Sequence, residues 1–295
     1  MDEIVGLAVG FLCLAAVVAL FIAAFVKTRR QKRFNRRLLD QQEQALPRWA
    51  AQRGFTYAPR DDRVLGISSR PPLGAADFST EKQADVHKLH WGQVSATFEL
   101  LHRPEWIRGT HVMNAERGGR QKVVFQHHLR PVPMSDGSAS GGDGLLDDLF
   151  HRLLGRRMDE KMQNAGESHR TVVAVRLPRP TPFLCVAAKP PGAKSVEGWG
   201  LRDMKLEHHA FNEKFVVHSQ NDRFSMDVLH QRTLEWMLAQ PPLQDASYLT
   251  RTGFVLDNGW CYLMAMNPLD PERLDGQIDL LDGFTGLIPA HVWRT

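Results

Sequence analysis

The sequence predicts an α+β fold, an antiparallel sheet with helices on one face, preceded by one N-terminal transmembrane helix. Three observations carry that expectation. An uncharged apolar run fills Ile4 to Val26, short apolar segments follow one another across tight turns, and helical patterns gather in the last quarter of the chain. Sequential strands joined by turns pair antiparallel, because parallel neighbours need a long crossover between them.

The apolar run extends about 34 Å at about 1.5 Å per residue, enough for a hydrocarbon core of about 30 Å. Gly6 and Gly10 interrupt it, and it lacks the polar stripe that a soluble core helix would carry. A cleaved signal peptide has positive charge before its apolar region. Here Asp2 and Glu3 precede the run, and Lys27, Arg29, Arg30, Lys32, Arg33, Arg36 and Arg37 follow it. Such a basic block resists translocation, so the N-terminus is expected outside and residues 27–295 in the cytoplasm, at the plasma (inner) membrane. The block reads as a topology determinant, with contact to anionic lipid as the alternative.

Residues 27–46 form a basic juxtamembrane stalk, with helix formers from Arg36 to Ala45. Pro47 is read as the first turn of a short helix, PRWAAQR, that Gly54 ends; the cytoplasmic domain, 47–295, begins there. Strict alternation from Gln93 to Leu101 predicts a half-buried strand, with KLHW as its hairpin partner. Further strands are expected at Gln121 to Leu129, Thr171 to Leu177, Phe183 to Ala188, Met204 to His208 and Lys214 to Ser219. Asn258-Gly259 separates two apolar runs and suits the positive φ angles of a type I′ turn, which predicts a hairpin. Helices are expected at Asp222 to Leu229 and Gln231 to Ala239, closed by Pro241 and Pro242. The last helix runs from Pro271 to about Leu287, with Asp270 as N-cap and Leu274, Ile278, Leu281 and Ile288 on one face. Gly276, Gly283 and Gly286 weaken it.

The stretch 134–168 interrupts the domain. Its first part, MSDGSASGGDG, has the composition of a flexible linker. Behind it Leu145, Leu146, Leu149, Phe150, Leu153, Leu154 and Met158 make an apolar face on a helix, with acidic residues early and arginines late, as the helix dipole favours. This helix either docks back on its own domain or serves as a candidate partner helix or membrane-surface helix, with Leu146, Leu149, Phe150, Leu153 and Leu154 as its contact residues.

Composition excludes several functions. The net charge of +4 lies in the membrane-proximal block, since seven of the 37 Lys and Arg residues sit there and the rest of the chain is near balance. No basic stripe remains for nucleic acid. Cys13, Cys185 and Cys261 have no paired spacing; Cys13 lies in the apolar N-terminal run, and Cys185 and Cys261 fit isolated buried thiols in a reducing compartment. Among thirteen histidines, the adjacent pairs His127-His128 and His208-His209 sit on expected strands, where neighbours point to opposite faces and cannot share an ion. No zinc spacing occurs. Gly192-Ala193-Lys194-Ser195 resembles the end of a phosphate loop, but Pro190-Pro191 precede it and offer no amide donors, so it reads as a turn. Gly198 and Gly200 lack the third glycine of a dinucleotide fingerprint. No catalytic residue, cofactor or metal ligand is therefore assigned, although a triad assembled from distant positions is open at this level. Of seven tryptophans, Trp106 and Trp199 stand in loop-like contexts and are the candidates for partner contact.

The anchor, the basic stalk, the W-A-A-x-x-G-F-x-Y segment from Trp49 to Tyr57 and the run from Leu206 to Pro241 together resemble a family of uncharacterised single-pass membrane proteins common in actinobacteria. Phe211, Asn212, Phe215, Val217 and Trp236 match the second motif of that family. The insertion at 134–168 and the lost proline around Gln231 depart from it. The family carries no assigned activity, so the resemblance implies membrane placement and no site residue. The expected function is a membrane-anchored cytoplasmic interaction module with a protein partner. A membrane-tethered hydrolase or transferase and a small-ligand or lipid-sensing domain are the alternatives.

Overall fold

The computed structural model describes residues 37–68, 104–131, 168–189, 202–244 and 252–294. The Ile4 to Val26 segment, Lys27 to Arg36, the expected strand at Gln93 to Leu101, most of the 134–168 insertion, Gly192 to Ser195 and Trp199 lie outside the described residues. Among the described residues no helix is long and apolar enough to cross a membrane.

The fold is α+β. Nine strands among the described residues form one sheet in the order β1-β2-β3-β4-β9-β8-β5-β7-β6, antiparallel at every step. They are β1 (Thr56–Arg60), β2 (Pro104–Arg117), β3 (Arg120–Pro131), β4 (Ser168–Arg176), β5 (Leu184–Ala188), β6 (Arg202–Asp203), β7 (Phe215–Ser219), β8 (Thr252–Asp257) and β9 (Trp260–Ala265). The β8–β9 hairpin turns at Asn258 and Gly259, with φ of 48° and 79°, as its sequence required. The β2–β3 hairpin turns in the same way at Gly118 and Gly119. The outer strand β1 carries Pro59, which blunts that edge against further pairing.

The described α-helices are α1 (residues 37–52), α2 (His209–Lys214), α3 (Asp222–Val228), α4 (Gln231–Leu238), α5 (Pro241–Gln244) and α6 (Pro271–Leu287). Each of them contributes buried apolar side chains to one cluster on one face of the sheet. Leu46 and Trp49 of α1, Leu234 and Met237 of α4, and Leu274, Ile278, Leu281 and Phe284 of α6 meet Val124, Val173, Val186, Phe254 and Leu263 from the strands. The opposite face carries Val112, Phe125, Val172, Val255 and Tyr262, with Val64 and Ile67 from the 3-10 turn Asp62–Ile67. The helices-on-one-face expectation thus holds for the described helices.

Two of the expected elements take a different form. Helix α1 runs unbroken through Pro47, and Leu38, Gln42 and Leu46 of the stretch read as stalk are buried. Pro47 withholds an amide that would otherwise bond the Glu43 carbonyl, and the burial of Leu46 and Trp49 on either side of it keeps the helix going. The helix ends where expected, with Phe55 N–H returning to Ala50 O at 2.9 Å and Gly54 N–H to Ala51 O at 3.3 Å. The second difference is the strand expected at Met204 to His208. Only Arg202–Asp203 pair with β7, because the Asn212 side chain takes both backbone groups of Leu206, at 3.1 Å and 2.6 Å, in place of a ladder partner. His208 caps α2 instead, its ring accepting from Phe211 N–H at 3.3 Å.

The last helix has the expected N-cap, Asp270 accepting from Glu272 N–H at 3.1 Å, but its glycines are not equivalent. A Cβ on Gly283 would stand 2.7 Å from Trp236 Cζ2, whereas nothing lies within 4 Å of one on Gly276 or Gly286. Gly286→Ala is therefore expected to raise stability by about 0.5–1 kcal/mol through helix propensity. Gly283→Ala should lose that gain to steric displacement of Trp236, with an expected net loss of about 1 kcal/mol or more. Urea denaturation of the two variants followed by tryptophan emission separates them.

Candidate functional site

Two features of the helical face bear polar side chains in shaped surroundings. The first is a groove of about 850 Å³ between α4, α6 and the start of β8. That volume falls in the range of ligand-binding clefts. Trp236, Leu280 and Pro242 supply its apolar surface, and Gln240, Gln277 and Asn267 its amides. Trp236 is held from below by Phe254, with ring centroids 6.4 Å apart, and Phe254 stacks on Phe284 at 4.3 Å with planes 7° apart. Gly283 lets the indole lie against α6. The far end is tied by His230 at the start of α4, whose Nε2 donates to the Leu287 carbonyl at 3.1 Å. A carbonyl only accepts, which fixes the proton on that nitrogen.

The electrostatics of the groove are close to neutral. Arg273 and Asp279 both reach its lining. The Arg273 charge is met by Asp270, 3.2 Å away. Gln277 Oε1 is buried, with no hydrogen-bond partner among the described residues. The lining contains neither histidine nor cysteine.

The second feature is a cluster of imidazoles where α1 crosses β1 to β4. Register places His128 of β3 opposite His169 of β4, and their rings lie with centroids 4.1 Å apart and planes tilted by 32°. Strand β2 adds His111 through a bulge in which His111 and Val112 together oppose a single residue of β3. His111 has φ +50°, a left-handed conformation that glycine usually supplies and that costs a side-chain-bearing residue about 1–2 kcal/mol. The bulge brings its ring to the Tyr57 hydroxyl, with Nδ1 to Oη at 2.8 Å. Burial holds His169 far below the ordinary imidazole range, at about 3, with His128 and His111 adding to the effect. Burial also lowers His111, against the opposing charge of Glu43 on α1. The Tyr57 hydroxyl is raised by burial and by the same carboxylate. Both shifts favour the neutral form of His169 and His111. Among the described residues no group of three or more His, Cys, Asp or Glu is arranged to hold a metal ion.

The buried thiols are not nucleophiles. Burial pushes Cys185 up to about 12 and Cys261 higher still, so neither presents a thiolate. Tyr262 is likewise raised by burial, and Ser68, hydrogen-bonded to it, donates to Asp257 Oδ2 at 2.8 Å in a wholly buried bridge.

Of the residues singled out by sequence, Arg37 is exposed at the start of α1. Lys27, Arg29, Arg30, Lys32, Arg33 and Arg36 lie outside the described residues, as do Leu146, Leu149, Phe150, Leu153 and Leu154. Trp106 falls in β2 rather than in a loop. His127 and His128 do face opposite sides of the sheet, pairing with Arg170 and His169. The groove residues were invisible as a set, although Trp236 lies in the Leu206 to Pro241 run singled out in the sequence. No family model and no curated protein matches the chain. In the solved structures it is similar to the crystal structure of the mycobacterial trehalose monomycolate transport factor A, TtfA, at 11% identity and a TM-score of 0.47, over 84% of this chain and 94% of that one.

Proposed function

We propose that this chain is a membrane-anchored cytoplasmic interaction module. In this reading the Ile4 to Val26 helix holds it at the inner face of the plasma membrane, and the groove between α4 and α6 receives an extended segment of a protein partner. The observation that carries the reading is the lining of the groove. A groove lined by the side-chain amides of Gln240, Gln277 and Asn267 suits the alternating N–H and C=O groups of a peptide backbone. Trp236 and Leu280 then offer a seat for one apolar side chain. Near-neutral charge, with Arg273 already paired, favours a neutral peptide over a phosphate-bearing headgroup or nucleotide. The sensing and enzymatic alternatives have less support, because the shifted histidines stand outside the groove lining.

A photo-crosslinking amino acid placed at Gln240 in the full chain, in its native membrane, tests the reading. A discrete protein adduct is expected that disappears in Trp236→Ala and persists when the crosslinker is moved with no other change to Leu280. An adduct pattern unaffected by Trp236→Ala would refute the groove as the docking site. For the anchor, a cytoplasm-active reporter fused after Thr295 is expected to be active, and an export-active one silent.

A further inference from the structure

The cluster beside α1 contains a hydrogen-bond chain whose polarity is fixed from one end. The Leu269 N–H, in the loop between β9 and α6, reaches a Gln126 side-chain atom at 3.2 Å. A backbone N–H only donates, so that atom is the amide oxygen, Oε1. Gln42 Nε2 of α1 donates to the same oxygen at 2.9 Å and to the Leu269 carbonyl at 2.6 Å. The other end of the Gln126 amide is therefore its NH2 group, which stands 3.2 Å from His169 Nδ1. That nitrogen must accept. His169 is thus held neutral with its proton on Nε2, by an argument that starts from a backbone amide and needs no assumption about the ring.

We propose that Gln126 and His169 form a proton-sensitive latch that fastens α1 to the sheet and to the β9–α6 loop at neutral pH and releases it on acidification. A proton added at Nδ1 turns the acceptor into a donor facing the Gln126 NH2 group. The amide cannot flip to answer it, because a flip would set its NH2 against the Leu269 N–H and the Gln42 NH2 group. The conflict therefore passes to Gln42, one of the residues by which α1 grips the sheet, and to Leu269. The groups facing His169 among the described residues are His128, lying tilted against it from β3, and His111 from β2. Behind them Glu43 of α1 acts on His111 and on Tyr57 of β1. Protonation of either neighbouring imidazole opposes that of His169, while Glu43 draws a proton first toward His111, so the cluster resists mild acid and yields to stronger acid. The latch stands independently of what the groove binds.

The test uses the full chain in lipid nanodiscs. Nitrogen-15 spectra of labelled histidine, with His169→Asn for assignment, are expected to show the His169 ring as neutral with Nε2–H at pH 7. A neutral Nδ1–H ring would overturn the proposal. Hydrogen exchange of the α1 amides, corrected for intrinsic rates, is expected to speed up about tenfold or more between pH 7 and pH 4.5 in the unaltered protein. His169→Asn keeps an acceptor near the Nδ1 position and has no titrating group, so its α1 protection should stay flat. Gln126→Glu keeps Oε1 for Leu269 and offers an acceptor to a protonated ring, so its response should reverse. Equal pH responses in the unaltered protein and both variants would overturn the latch. The tautomer measurement on the unaltered protein decides the matter even where a variant fails to fold.

Discussion

Phe254→Ala is expected to cost about 3–5 kcal/mol of stability and to reshape the groove in the molecules that remain folded. Phe254 is fully buried on β8, opposite Leu263 of β9 and Val186 of β5. Its ring stacks on Phe284 and tilts against Trp236, so one side chain joins the sheet, the underside of α6 and the wall of the groove. Removing it takes away the transfer free energy of a buried aromatic and the stacking, about 0.5–1.5 kcal/mol beyond area alone. It also leaves a hole that the strand backbone cannot close. Phe254→Leu should lose about a third as much, because most of the volume is kept. Urea denaturation measures both. Trp236 emission should shift to the red in Phe254→Ala at denaturant concentrations where the sheet is still folded. An alanine variant as stable as the leucine variant would show that this stack does not organise the core, and with it the support for Trp236 would go.

The parts of this fold that could be read in advance are those in which a local signal decides the outcome. Asn258-Gly259 turned where its backbone preference demanded, Asp270 and Pro271 started α6, and Gly54 ended α1. Strand β2 was missed for a physical reason. Its pattern breaks at Thr110 to Met113, where the extra residue of the bulge inverts which side chains face the core, so no alternation spans the strand. The same bulge hid the imidazole cluster, since His111, His128 and His169 converge only when β2, β3 and β4 are set in register. Pro47 misled because proline in the first turn of a helix is the common case. Burial of Leu46 and Trp49 on either side of it overrode that preference. The groove was illegible because its residues come from α4, α5, β8 and α6, with no spacing to connect them. Gly283 was the one usable sign. It was read as a weak point in a helix, and it is the space that Trp236 occupies.

Acidification from pH 7 to pH 4 is expected to remove about 3 kcal/mol of folding stability, most of it through His169. Its ring is neutral in the fold because burial, His128 and His111 hold its pKa at about 3, against an ordinary value of 6.5. The unfolded chain takes up this proton as the pH passes below 6.5, while the folded protein does not until about 3. In that window the unfolded state binds more protons, so stability rises with pH. The contribution is therefore fully present above pH 6.5 and is lost progressively as the pH falls toward 3. His111 is lowered as well and acts in the same direction, with Glu43 limiting its share. His169→Asn removes the titrating group, so its stability should be lower than that of the unaltered protein at pH 7 and should depend far less on pH. The two curves are expected to approach or cross near pH 4. Chemical denaturation at half-unit intervals of pH gives both curves directly. Parallel curves would mean that His169 takes up its proton with equal ease in the folded and unfolded chains, which is incompatible with a half-buried ring lying against a second imidazole and accepting from Gln126.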